Sequence, residues 1–317
     1  MKTVFVVNPK AGRGKGVKNL TDKIKALGKE AEIYLTKAPK DATRFVREYL
    51  KNNGVTRFIA CGGDGTLSEV VNGMADYKGA EVGVIPIGSG NDFVRSLGEQ
   101  DFFNILSQVS SDAKKVDLIK YSFINDGITK DGYCINMANI GFDCNVADLT
   151  NRIKEKTFLG GSLAYFVAIF IMLVKKKGAD LKIESEDGTV YDGPLLLTSL
   201  ANGMFCGGGI KSNPLASLND GLININIIKN VSRLKFISLL PFYMNGTVLN
   251  LRGIERYITS PKYPSVIITP NNGKVKVGVD GEVWDAEKIE FSIIKGGINF
   301  VLPNKKAIIK DGELLNV

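Results

Sequence analysis

Cys61-Gly62-Gly63-Asp64-Gly65-Thr66 follows the apolar run Arg57 to Ala60 and opens a segment, Thr66 to Met74, whose apolar residues recur at helical spacing. A strand that ends in glycines and passes straight into a helix leaves main-chain N–H groups facing open space at the positive end of the helix. Phosphate oxygens suit that arrangement, and glycine keeps side chains from blocking the approach. Thr66 adds a hydroxyl, and Asp64 a carboxylate that can hold Mg²⁺ through water. An ordinary capped turn is the alternative, but Gly-Gly-Asp-Gly-Thr between a strand and a helix is far more specific than an isolated glycine pattern.

The same order of strand, turn and helix recurs on both sides of this stretch. Thr3 to Val7 reads as a buried strand, Asn8 to Gly16 as a glycine-rich loop and Val17 to Leu27 as a helix. Ala31 to Leu35 and Asp41 to Asn52 repeat the pair, and Glu81 to Pro86 leads through Ile87-Gly88-Ser89-Gly90-Asn91-Asp92 into a helix from Phe93. This alternation predicts a parallel sheet with helices on both faces. The first loop carries Lys10, Arg13 and Lys15, which suit polyphosphate, but it has neither Walker A nor dinucleotide-fingerprint spacing. Taken alone it also reads as a solvated basic loop. With Ser89 on the third turn, three turns are expected at one edge of the sheet.

Past residue 120, short strand-like runs replace the alternation: Tyr133 to Ile140, Ala179 to Ser185, Leu195 to Ala201, Leu222 to Ile228, Val266 to Thr269 and Lys274 to Val279. Glu186-Asp187-Gly188 and Asn271-Asn272-Gly273 read as hairpin-type turns. The fold class expected is therefore α/β plus all-β: an N-terminal parallel sheet with flanking helices and a C-terminal antiparallel β-sandwich. The domains are 1–120, joined by 303–317, and 121–302, with Gly296 to Leu302 closing the second. No linker marks the boundary.

A length of 317 residues fits two domains, and 44% hydrophobic with 23% charged residues argues against disorder. The net charge of +8 suits anionic partners, whether phosphorylated ligands, nucleic acid or acidic lipid headgroups. No aromatic-rich basic stripe or recognition helix supports nucleic acid. The chain has no histidine, so proton transfer falls to a carboxylate, lysine or tyrosine. Cys61, Cys134, Cys144 and Cys206 are widely spaced and read as reduced thiols, and the N-terminus lacks a signal peptide, so a cytoplasmic location is expected. Phe158 to Val174, nearly uncharged and followed by Lys175-Lys176-Lys177, reads as a buried or interfacial helix. At about 1.5 Å per residue it reaches only about 25 Å, the lower edge for a membrane span.

The motifs together resemble the diacylglycerol kinase catalytic-domain family of lipid kinases, which includes the sphingoid-base kinases. The resemblance rests on Asn8-Pro9 with Gly12, Gly62 to Thr66 with Glu69-Val70-Val71-Asn72-Gly73, and Pro86 to Asp92 with Phe93 and Arg95. It continues through Asn136 to Asp143, Pro214 to Gly221 and Val279-Asp280-Gly281-Glu282. It implies ATP contacts by Asn8, Pro9, Lys10, Ala11 and Gly12, by Thr36, by Gly63, Asp64, Gly65, Thr66, Leu67, Ser68 and Glu69, and by Ser89. It implies a structural Mg²⁺ near Ser217, Asp220 and the backbone of Leu222, reached through water and Asp64. Glu282 would take the proton of the lipid hydroxyl, with Asp280 its close partner. Ser89 replaces the threonine of many relatives and keeps the hydroxyl, while Thr247 stands where relatives often carry histidine.

The expected activity is ATP-dependent phosphorylation of diacylglycerol to phosphatidic acid, with ATP in the cleft between the domains. The enzyme would attach peripherally to the inner face of the membrane, with a homodimer as a further possibility. A sphingoid-base kinase, an enzyme of the NAD kinase or phosphofructokinase kind, and a nucleotide-binding membrane-docking regulator without turnover are the alternatives.

Overall fold

A computed structural model of the protein describes residues 1–14, 16–28, 31–141, 178–303, 308–310 and 313–315. The segment Phe158 to Val174, together with Lys15, Asp143 and Cys144, lies outside the described residues. The chain divides into two compact units, Met1–Val116 with Gly296–Val317, and Asp117–Lys295.

In the first unit, β1 (Lys2–Val7), β2 (Ala31–Leu35), β3 (Thr56–Gly62) and β4 (Glu81–Pro86) form a parallel sheet in the order β2-β1-β3-β4. The connections are α1 (Val17–Lys25), α2 (Asp41–Asn53) and α3 (Asp64–Met74), and α4 (Asp92–Ser96) and α5 (Ile105–Ser110) follow β4. All of β3 is buried, as a strand covered on both faces must be. Phe5, Val7, Ile59, Cys61 and Ile85 from the sheet close over Leu20 and Ile24 of α1. Parallel pairing brings the C-terminal ends of β1, β3 and β4 together, so the three glycine-rich turns emerge side by side.

The second unit is antiparallel. Its strands are β5 (Ala113–Asn125), β6 (Ile128–Cys134), β7 (Met137–Gly141), β8 (Ala179–Ser185), β9 (Gly188–Ala201), β10 (Ile223–Lys229), β11 (Ile258–Thr259), β12 (Lys262–Tyr263), β13 (Ser265–Pro270), β14 (Val275–Val279), β15 (Glu282–Ala286) and β16 (Lys288–Val301). Together they make the β-sandwich. The long strand β9 pairs β8 through its first half and β7 and β10 through its second. Ile223, Ile225 and Ile227 alternate along β10 into a core shared with Leu181, Ile183, Leu200, Val266, Ile268 and Phe291.

Three details depart from the sequence reading. Glu186 to Gly188 does turn the β8–β9 hairpin, but Asn271 to Gly273 joins strands that are not partners: β13 pairs β8 and β16, while β14 pairs β7 and β15. A turn signal fixes a reversal of the chain, not the identity of the neighbouring strand. Within the β-rich half the structure places a helix, α6 (Arg233–Met244), started by the Ser232 hydroxyl accepting from the Lys235 N–H. Finally, Asn299 and Phe300 of β16 pair in parallel with Glu81 and Val82 of β4, so Gly296 to Val301 completes the first unit's sheet. Among the described residues no helix is long and apolar enough to cross a membrane.

Candidate active site

The three turns of the first unit are knitted to one another. The Asn8 side chain donates to Thr66 Oγ1 at 3.3 Å, its Oδ1 accepts from the Lys10 N–H at 2.9 Å, and its own N–H donates to the Cys61 carbonyl. Gly12 has φ +56°, and a Cβ there would stand 2.6 Å from the Ile87 carbonyl oxygen of the third turn. Gly88 packs directly against Gly63: a Cβ at Gly88 would overlap the Gly63 Cα and lie 2.9 Å from Asn91 Oδ1. Asn91, at φ +54°, donates to the Pro86 and Gly88 carbonyls and so closes the third turn. Asp64 Oδ1 accepts from the Phe93 N–H at 3.2 Å, tying the start of α3 to α4.

These contacts leave part of the main chain at the start of α3 without a partner. Thr66 and Leu67 return their N–H groups to the Gly63 carbonyl, whereas the first-turn amides of Asp64 and Gly65 have no hydrogen-bond partner among the described residues. Nothing lies within 4 Å of a Cβ built on Gly65. Lys10, Arg13 and Ser89 are exposed on the two neighbouring turns, and Thr36 gives its N–H to the Val7 carbonyl at 2.9 Å. Unpaired amides at a helix N-terminus beside exposed cations fit a polyphosphate.

Two residues grouped with these by the sequence reading have other work. Leu67 is 1% exposed and belongs to the core, and its N–H is already spent on the Gly63 carbonyl. Glu69 accepts the Ala42 N–H at 3.1 Å, while its carbonyl takes the Thr43 hydroxyl, which caps α2 from α3.

In the second unit, the turn between β14 and β15 separates two carboxylates by environment. Asp280, at φ +45°, turns its side chain inward, where it accepts N–H groups from Ile135 at 2.9 Å, Asn136 at 3.1 Å and Met137 at 3.1 Å, and the Cys134 thiol at 3.3 Å. Burial pushes its carboxyl above the ordinary aspartate value, against the pull of those donors, and burial together with the Asp280 charge pushes the Cys134 thiol up. Glu282, two residues on, is exposed, and its carboxylate has no hydrogen-bond partner among the described residues. Asp280 therefore holds the turn, whereas the Glu282 carboxylate faces solvent.

The proposed cation set behaves differently from the sequence reading. Asp220 Oδ2 accepts from Lys262 Nζ at 2.7 Å, its Oδ1 accepts from the Leu222 N–H at 3.1 Å, and Ser217 Oγ donates to Asn219 Oδ1 at 3.0 Å. Both carboxylate oxygens are engaged by N–H donors, one of them an ammonium. A magnesium ion held here would have to share the Asp220 carboxylate with the Lys262 ammonium. The positive charge beside Asp220 is the chain's own Lys262.

Asp117, 1% exposed, accepts the Gly221 N–H at 2.6 Å, and its backbone N–H donates to the Leu218 carbonyl, so it pins the 214–222 segment to β5. Asn202, fully buried, donates to the Asp117 and Ile135 carbonyls. Sequence offered no motif for Asp117, Asn202 or Lys262, because each acts on residues dozens of positions away.

Comparison with known proteins gives a consistent result across the chain. The family described as "Diacylglycerol kinase catalytic domain" matches residues 2–121, and "YegS C-terminal NAD kinase beta sandwich-like domain" matches residues 136–301. A "Diacylglycerol kinase" of Bacillus subtilis is 30% identical over 312 residues, covering 96% of this chain and 97% of the relative. A Pseudomonas aeruginosa protein named "Probable lipid kinase YegS-like" is 27% identical over 316 residues, covering 98% and 97%. The crystal structure of a diacylglycerol kinase from Bacillus anthracis superimposes with a TM-score of 0.68 at 23% identity, covering 95% of this chain and 96% of that one. A yeast NADH kinase shares the fold alone, with a TM-score of 0.50 at 12% identity, covering 95% and 82%.

Proposed function

The chain belongs to the diacylglycerol kinase catalytic-domain family of lipid kinases, and on that premise we propose that it transfers the γ-phosphoryl group of ATP, taken up as its magnesium complex, to the 3-hydroxyl of diacylglycerol. The products are phosphatidic acid and ADP. Phosphoryl transfer asks the protein for positioning and charge stabilisation more than for covalent chemistry. The Asp64 and Gly65 amides meet phosphate oxygens, and Lys10 and Arg13 offset their charge. Glu282 accepts the proton of the attacking hydroxyl as the new oxygen–phosphorus bond forms and the bond to ADP breaks. The acceptor is a lipid, so the reaction takes place at the cytoplasmic face of a membrane.

The observation that supports this reading most is the contrast at one turn: Asp280 is consumed by three amides while Glu282 stays exposed and unengaged. The test incubates the purified protein with γ-labelled ATP and diacylglycerol in mixed micelles. Label should appear in phosphatidic acid, and Glu282→Gln should lower kcat by about 10²- to 10⁴-fold while nucleotide binding persists. Unlabelled lipid rejects the reading. An unaffected Glu282→Gln rejects the assigned base. Product analysis by mass spectrometry on a total lipid extract separates diacylglycerol from a sphingoid base.

A further inference from the structure

Helix α6 carries apolar residues on every side, and several of them face solvent. Successive residues of a helix advance by about 100°. Read round the axis, the outward arc runs from exposed Arg233 past half-buried Met244 through Ile237, Pro241, Leu234, Ser238 and Phe242, all exposed, to half-buried Lys235, whose ammonium lies 5.0 Å from the centre of the Tyr257 ring. Leu234 is 82% exposed, Ile237 54% and Phe242 42%. The opposite side seats Leu239 and Tyr243 in a cluster with Val248, Ile254 and Ile258, so the helix is anchored and the outer arc is a fixed surface. A basic residue therefore borders the apolar stripe on each side, and α6 contains no acidic residue.

We propose that this face of α6 docks on an anionic lipid bilayer, with Leu234, Ile237 and Phe242 entering the headgroup region and Arg233 and Lys235 meeting lipid phosphates. The proposal rests on the lipid-kinase reading for its purpose, but its geometry is independent of the catalytic residues. An apolar stripe with cations at its borders is the pattern of a helix lying in a membrane interface, where long basic side chains reach out to the headgroups. Residues 229–256 reinforce the charge match: Lys229, Arg233, Lys235, Arg252 and Arg256 face a single acid, Glu255. A second copy of the chain pairing through the same face would bring no acidic group on α6 to answer Arg233 and Lys235.

Vesicle sedimentation tests this, using phosphatidylcholine alone and phosphatidylcholine mixed with phosphatidylglycerol. Wild type should sediment with the mixed vesicles and be released by salt. The double variant Leu234→Glu, Ile237→Glu should bind them at least about tenfold more weakly. The pair Arg233→Gln, Lys235→Gln should lose only the preference for the anionic vesicles. Circular dichroism checks that both variants fold. Turnover of a water-soluble short-chain diacylglycerol, which needs no docking, should be the same in wild type and variants. If wild type fails to phosphorylate it while still sedimenting, the catalytic reading fails and the docking proposal stands. Sedimentation that is absent in wild type or unchanged in the Leu234→Glu, Ile237→Glu variant overturns the proposal. So does a dimer, seen by light scattering, that those substitutions dissolve without altering vesicle binding.

Discussion

Replacing Asp280 tests the separation of roles at the β14–β15 turn. Its carboxylate accepts three main-chain amides and a thiol inside a core that excludes water. Truncation to alanine leaves those amides unpaired and buried, and with about 1–3 kcal/mol for each orphaned donor, offset by partial relaxation, a loss of about 3–5 kcal/mol follows. Asparagine keeps the shape but offers one acceptor oxygen and turns an NH₂ group against an amide, so Asp280→Asn should cost about 2–3 kcal/mol. Urea unfolding read by tryptophan fluorescence is well placed, because the chain's one tryptophan, Trp284, sits two residues beyond Glu282. Both variants should also lose turnover through displacement of Glu282, with kcat falling more than KM rises. If Asp280→Ala costs less than about 1 kcal/mol, the anchoring account is wrong. Turnover abolished at full stability would instead make Asp280 itself the proton acceptor.

Other outcomes follow from the same geometry. Gly65→Ala meets nothing within 4 Å, so its melting temperature should be unchanged while ATP affinity drops about tenfold or more, measured by calorimetry. Gly88→Ala, driven against the Gly63 backbone, should lose both stability and nucleotide binding. Burial alone would raise the Asp41 carboxyl, but the Lys37 N–H, Arg44 and the Tyr34 hydroxyl hold it below its ordinary 3.8. A depressed folded value means stability present above 3.8 and lost as pH falls toward the folded value, so the deficit of Asp41→Asn, about 1–2 kcal/mol near neutrality, should shrink below pH 3.8. Chelation by EDTA should leave the wild-type melting temperature unchanged, whereas Lys262→Met, which strips Asp220 of its ammonium, should gain stability on adding Mg²⁺.

The first unit was readable because its signals are local. Each of Gly63, Gly88 and Asn8 belongs to a short strand–turn–helix phrase, and parallel pairing collects those phrases at one edge. The second unit was readable as strands but not as a pairing scheme, since Asn271 to Gly273 states only that the chain reverses. Helix α6 went unseen because its apolar residues go all the way round, which erases the amphipathic period that marks a surface helix. At the candidate site, the Asp280–Glu282 pair was visible as a motif, whereas the division of labour depends on amides 143 to 145 residues away. Lys262 beside Asp220 was likewise beyond any local pattern.

The parallel pairing of β16 with β4 has a consequence for biosynthesis. More than two hundred residues separate Val82 from Phe300, which also lies against Phe93 at 5.3 Å between ring centroids. During translation at about 5–20 residues per second, the nascent sheet waits some tens of seconds with that edge bare. A ribosome-bound chain halted before Phe300 should therefore recruit chaperones far more readily than one released after Val301, and a stop codon near the end should harm folding more than its position implies.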